Sequence, residues 1–165
     1  MKKLTAIVTA ALATLAISAT ALAATLISAD EALAIAKKEV PATSTHIVTK
    51  AENAKFRPYY EVKFYDNATH TEYEIEVLQA NGAIKEFSMD NKTQIGSAKI
   101  VLSANDVQSI VAKEYPNARI YNLELDNDDG LYEYEVKFQT PELRGEMKIN
   151  PETGVVMEKE LKYQF

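Results

Sequence analysis

Hydrophobic and polar positions along this chain change period in the same order twice. In "ISADEALAIAKKEVP" (residues 27–41) the apolar Ala32, Ile35, Ala36 and Val40 recur at three- and four-residue steps, and in "LSANDVQSIVAKEYP" (102–116) Val107, Ile110, Val111 and Tyr115 do the same. That spacing puts them on one stripe of a helix, so each segment predicts an α-helix lying with one face on something flat. Ser28 and Ser103 suit the N-cap, with Glu31 and Asp106 three residues on to return the bond, and Ile27 and Leu102 in front to staple onto Ala32 and Val107. Pro41 and Pro116 end the helical pattern, because proline lacks the N–H that a further turn would use.

After each proline the period falls to two. Tyr60, Val62 and Phe64 alternate with Tyr59, Glu61, Lys63 and Tyr65, and then Tyr73, Ile75 and Val77 alternate with Glu72, Glu74 and Glu76. The second stretch has Tyr121, Leu123 and Leu125, then Tyr132, Tyr134, Val136 and Phe138, then Leu143, Met147 and Ile149, then Val155, Met157 and Leu161. Such alternation predicts antiparallel strands with one buried face, closed by turns at "QANG", "DNDDG", "TPELRG" and "NPETG".

The two stretches are one unit written twice. Ser28, Ala29, Lys38, Glu39 and Pro41 fall on Ser103, Ala104, Lys113, Glu114 and Pro116 at an offset of 75; the tetrapeptide "EVKF" recurs at 74 (Glu61–Phe64, Glu135–Phe138) and the glycines Gly82 and Gly154 at 72. The predicted fold is therefore α+β, with two tandem units, each an N-terminal helix packed on a four-stranded antiparallel meander. Residues 24–89 form the first unit, the polar stretch 90–100 a linker, and 101–165 the second.

The segment before the first unit changes the compartment. Lys2 and Lys3 precede a nearly all apolar or small run from Leu4 to Leu22, and Ala21-Leu22-Ala23 has the form that precedes signal cleavage, so residues 1–23 read as a signal peptide cleaved near Ala23. The alternative is a membrane anchor, since the run approaches bilayer-spanning length, but it is rich in Ala and Thr and ends in the cleavage pattern. No other segment has the length and apolarity to span a bilayer, and without cysteine there is no lipid attachment after the signal. The expected location is secreted or periplasmic. Removal of the signal leaves 16 basic against 24 acidic residues, a net charge of −8, which argues against nucleic-acid or anionic-membrane partners. The absence of cysteine excludes disulfides, thiolate metal sites and thiol nucleophiles.

Catalytic chemistry finds little material. His46 and His70 are 24 residues apart on different elements, and no glycine pattern cradles a phosphate. The run Asp126-Asn127-Asp128-Asp129-Gly130 fails as a calcium loop: with Gly130 at loop position 6, Leu125 and Val136 fall where oxygen ligands are required. The glycosylation patterns at Asn67 and Asn91 are short enough to arise by chance. Glu72, Glu74 and Glu76 share a face, with nothing to separate their acid and base roles. No catalytic residue, cofactor or metal is assigned. The candidate site is the outward row of the central strands: Tyr59, Glu61, Lys63 and Tyr65 in the first unit, and Glu133, Glu135 and Lys137 in the second. Tyrosine among charges gives a protein partner contact area at little entropic cost.

The helix "SADEALAIAKKEVP", the strand "YYEVKF" and the glycine-turn strand pair "INPETGVVMEKEL" resemble the PepSY domain, with "KEYPNARI", "LYEYEVKF" and "GEMKINPETGVV" forming the closer copy. The resemblance covers about 27–89 and 101–162. Tandem units of this kind are also similar to the β-lactamase-inhibitor protein, whose halves carry disulfides that this chain lacks. PepSY domains occur in propeptides of secreted metallopeptidases and in stand-alone exported or membrane-linked proteins; the chain ends at Phe165, so no peptidase is expected in cis. The resemblance implies a non-enzymatic module that binds or inhibits an exported peptidase or other hydrolase, with a structural or sensory envelope protein as the alternative. The expected partner is an exported protein, with no nucleic acid and no membrane after cleavage, and the expected state is a monomer or weak oligomer.

Overall fold

The computed structural model describes residues 26–165, so the signal-peptide segment 1–23 lies outside the described residues. Helix α1 (Ala29–Ala36) is followed by strands β1 (Thr45–Glu52), β2 (Tyr59–Asp66), β3 (Thr71–Leu78) and β4 (Ile84–Asn91). Helix α2 (Ala104–Glu114) is followed by β5 (Arg119–Asp128), β6 (Leu131–Gln139), β7 (Leu143–Ile149) and β8 (Val156–Tyr163). Both helices start with the expected capping box. The Glu31 amide donates to Ser28 Oγ at 3.2 Å while the Ser28 amide donates to the Glu31 carboxylate at 2.8 Å. Ser103 and Asp106 repeat this at 3.3 and 2.8 Å. Helix α1 stops before Pro41 because its last amides tighten: Lys38 donates to the Ile35 carbonyl and Glu39 to that of Ala36.

The strands form one continuous antiparallel sheet in the order β1-β2-β3-β4-β8-β7-β6-β5. This corrects the expectation of two separate four-stranded meanders. Each copy does lay its four strands side by side in chain order, but the last strands of the two copies pair with each other. Left apart, β4 and β8 would each present an edge of unpaired N–H and C=O groups; joined, they satisfy each other. The partners are Glu86–Lys162, Phe87–Leu161, Ser88–Glu160, Met89–Lys159 and Asp90–Glu158. Strand β8 is β4 displaced by 72 positions, so Ser88 and Glu160 are repeat equivalents that pair, and the flanking pairs exchange about them. The junction is a two-fold dimer interface contained within one chain.

Both helices cover one side of the sheet. Ala32 and Ala36 of α1 and Val107 and Val111 of α2 are fully buried, over Val62, Phe64, Ile75 and Val77 in the first half and Val136, Phe138, Met147 and Ile149 in the second. The repeated glycines make the turns that let the helices seat. Gly82 and Gly154 both have φ +73°, and a Cβ on either would meet the helix isoleucine above it, Ile35 at 2.8 Å or Ile110 at 3.1 Å.

The two cores differ by an exchange of aromatic residues. In the first half Tyr73 stands opposite Phe64 across β2 and β3, and the helix-end position is Val40. In the second half Gly145 stands opposite Phe138, and the helix-end position is Tyr115, whose ring lies 4.8 Å from that of Phe138. The first half thus places its tyrosine in the sheet, opposite Phe64 and with its ring 6.2 Å from that of Phe87, and the second places it on Phe138 from the helix end. Two charged groups lie on this side: Asp66, buried at the end of the Val62 and Phe64 row, accepts from Thr43 Oγ1 at 2.7 Å, and Lys159, whose side chain is 13 % exposed, pairs with Glu114 and lies beside Tyr115.

Three inward assignments are corrected. Tyr121 is 53 % exposed, because β5 bulges between Ile120 and Asn122 and it is Ile120 that pairs with Phe138. Leu125 lies on an edge strand and is exposed, and Val155 precedes β8 and is exposed. The first copy bulges at the equivalent place, between His46 and Val48, leaving Ile47 exposed. The linker stretch is tied down: β4 runs to Asn91, Ser97 bridges Tyr132, and Asn150 Nδ2 donates to the Ile95 carbonyl at 2.9 Å.

Candidate protein-binding face

The side of the sheet away from the helices carries the alternate residues of all eight strands. On β2 these are Tyr59, Glu61, Lys63 and Tyr65, held outward because Tyr60, Val62 and Phe64 are taken by the core. Lys63 Nζ lies 2.8 Å from Glu74 of the neighbouring strand and 3.3 Å from Glu61. The hydrogen bond to Glu74 is the largest influence raising its pKa, so it stays a cation. Lys85 pairs with Glu76 and lies 4.2 Å from the centre of the Tyr59 ring. Desolvation, followed by the nearby Glu76 carboxylate, raises the pKa of the Tyr59 hydroxyl.

On β6 the matching row is Glu133, Glu135 and Lys137. Lys137 lies 2.7 Å from Glu135 and 3.6 Å from Glu146 of β7, while Glu133 meets Lys148 at 3.4 Å. The hydrogen bond to Glu135 raises the pKa of Lys137. The structure therefore puts all seven predicted residues on one face without bringing the two rows together. Strands β3, β4, β8 and β7 lie between β2 and β6, which at about 4.8 Å per strand is a separation of about 24 Å.

Between the rows lies a centre that the sequence reading missed, formed by Glu86, Ser88 and Asp90 of β4, Glu158, Glu160 and Lys162 of β8, and Glu146 and Lys148 of β7. Part of it is a shallow, solvent-open depression. Desolvation raises the pKa of Glu86, and the carboxylates of Glu76 and Glu160 push the same way against the opposing Lys162. Lys162 instead hydrogen-bonds Glu160 and lowers that group's pKa. The residues were visible as alternating charges in "IKEFSMDN" and "VMEKELKY", but only the β4–β8 pairing makes them neighbours.

The remaining candidates are placed separately. Glu72, Glu74 and Glu76 each have a lysine partner, Lys92, Lys63 and Lys85. His46 stands edge-on to Phe64 on the helix side at 5.7 Å, whereas His70 sits in the β2–β3 turn with Nδ1 3.4 Å from the Tyr65 hydroxyl. Among the described residues no group of three His, Asp or Glu side chains is placed to hold a metal ion. Asp129 and Gly130 have φ +50° and +84°, so the acidic run is a tight two-residue hairpin turn. No helix among the described residues is long and apolar enough to cross a membrane.

Comparison with known proteins matches the two halves separately. The family model described as "Peptidase propeptide and YPEB domain", PepSY, fits residues 26–86 and again 101–160, together more than half of the chain. The YpeB C-terminal domain of Bacillus megaterium aligns with a TM-score of 0.54 and 17 % identity over 81 % of this chain and 62 % of that one, a likeness of fold. This chain thus spans less than two thirds of that structure's length. A Clostridium difficile 630 structure described as a "putative lipoprotein" aligns at a TM-score of 0.35 and 16 % identity over 79 % of this chain and 90 % of that one. A search of curated proteins found no match. PepSY is a non-catalytic domain family, often found as a propeptide or inhibitor-like module of exported or envelope proteins. With both matched segments coinciding with the helix-and-four-strand units of the sheet, the chain belongs to the PepSY family and carries its domain twice.

Proposed function

We propose that this protein is an exported, non-enzymatic binding module whose open sheet face engages a secreted or envelope peptidase, or another hydrolase, and restrains it. The observation that carries this reading is the fusion of two PepSY units into one eight-stranded face that neither helix covers. Eight strands at about 4.8 Å and eight residues at about 3.4 Å give roughly 38 by 27 Å, about 1,000 Å². A stable protein interface takes about 800 Å² from each partner, so the face is large enough to hold one.

Its chemistry suits a protein. The lysines on it are already matched to carboxylates, which lowers the cost of covering them relative to burying bare charges. Tyr59 and Tyr65 are the aromatic anchors, and they stand on the first half alone, since the equivalent positions on β6 are Glu133 and Gln139. The footprint is therefore centred toward β2 and β3.

The test is titration of the purified protein into peptidases secreted by the same cell, with the hydrolysis rate as readout. The reading expects saturable inhibition that the Tyr59→Ala, Tyr65→Ala double variant weakens at least tenfold, as loss of aromatic anchors does. Unchanged rates and no complex would overturn it, and stable capture of a non-hydrolytic envelope protein would favour the structural or sensory role.

A further inference from the structure

The two copies turn their first hairpins differently. In the second copy β5 ends at Asp128 and β6 begins at Leu131, so Asp129 and Gly130 alone close the turn. In the first copy β1 ends at Glu52 and β2 begins at Tyr59, leaving residues 53–58 as a longer loop over the equivalent position. A tight turn was available to this fold, and the loop carries instead Lys55, Phe56 and Arg57.

Phe56 is 86 % exposed, so it contributes almost nothing to the core. Lys55 Nζ lies 5.5 Å from its ring, and Arg57 lies 5.9 Å from the ring of Phe165, itself 63 % exposed. Neither Lys55 nor Arg57 has a carboxylate within ion-pair distance among the described residues, in contrast to the lysines of the sheet face. Two bare rings, each with its own cation, project from one end of the sheet.

We propose that the β1–β2 loop and Phe165 form a contact site for an anionic phospholipid surface, independent of whatever covers the sheet face. A bilayer interface offers the two things this patch lacks: acyl and glycerol depth for Phe56 and Phe165, and phosphates for Lys55 and Arg57 just above. A single protein pocket would have to supply both an apolar cavity and carboxylates around two separate rings.

Net charge averages over this patch and conceals it. The acidic hairpin Asp126–Asp129 is the repeat equivalent of the loop and lies at the opposite end of the strands. An eight-residue strand is about 27 Å long, and the screening length at physiological ionic strength is about 8 Å, so that acidic end does not repel a surface touching the loop.

The test is sedimentation of residues 24–165, which contain every described element, with vesicles of phosphatidylcholine alone or with about one third phosphatidylglycerol. The expected result is binding to the anionic vesicles that weakens as salt rises, falling about tenfold for Phe56→Ser and similarly for Lys55→Gln with Arg57→Gln. Tyr121→Ser, exposed on the distant edge strand, leaves it unchanged. The sites are on the surface, and an unchanged circular dichroism spectrum verifies that each variant is folded. The proposal is overturned if the wild-type protein stays in the supernatant with both vesicles, if the loop variants bind like wild type, or if those variants lose a protein partner while vesicles never bind.

Discussion

Replacing Gly145 with alanine tests the inner packing most sharply. A Cβ built there would stand 2.2 Å from Phe138 Cζ and 2.6 and 2.7 Å from its Cε atoms, where ordinary carbon contacts begin near 3.5 Å. The ring cannot retreat, because Tyr115 lies against it with centroids 4.8 Å apart and Phe138 is fully buried. Overpacking costs about 1–3 kcal/mol, and the depth of this clash places Gly145→Ala in the upper half of that range, less up to about 1 kcal/mol recovered because alanine suits a strand better than glycine. Urea unfolding followed by circular dichroism should register a net loss of about 2 kcal/mol with an unchanged m-value. The first half supplies a compensating pair: Gly145→Tyr with Tyr115→Val copies the arrangement of Tyr73 and Val40. Each single change should cost about 3 kcal/mol, one by overpacking and one by a cavity, and the double variant should recover at least about 2 kcal/mol of their sum. A Gly145→Ala variant as stable as wild type, or a double variant equal to the sum of the singles, would refute the argument.

Two further outcomes follow from the caps and the junction. Ser103→Ala removes the oxygen that accepts the Asp106 amide, and should lower stability by about 1 kcal/mol in the same urea assay. Glu86 ionises in the fold only above the ordinary glutamate pKa of 4.5, so its charge costs stability at neutral pH, and that stability returns as the pH falls through the folded pKa. Thermal melts at pH 7 and pH 5 should therefore find Glu86→Gln more stable than wild type at the higher pH and the gap smaller at the lower.

What could be read from the chain was local. The capping boxes of Ser28 and Ser103, the stripe on α2 and the alternation along β2, β3 and β6 are fixed within a few residues, and the structure has them where the pattern puts them. Helix α1 ends at Ala36, short of the predicted stop at Pro41, so Val40 packs on the core from beyond the helix. The union of the two sheets was not legible, because period-two alternation says which face a residue takes and nothing about which edge meets which. The bulges beside Ile47 and Tyr121 escaped for a related reason: an inserted residue looks like one more strand position until its partner strand is known. The candidate face divides in the same way. Tyr59, Glu61, Lys63 and Tyr65 were identifiable as an outward row, whereas the centre around Glu86, Glu160 and Lys162 exists only because β4 and β8 pair.

The central claim, that the open sheet face is the binding surface, is tested most directly by carboxylate footprinting. Glutamates and aspartates would be labelled with a water-soluble carbodiimide in the free protein and in its complex with a captured peptidase, and read by mass spectrometry. The account predicts protection of Glu61, Glu72, Glu74 and Glu76, with Asp30 and Asp106 at the helix starts labelled as before. Protection confined to the helix side, with the β2 and β3 carboxylates still fully labelled in the complex, would contradict it.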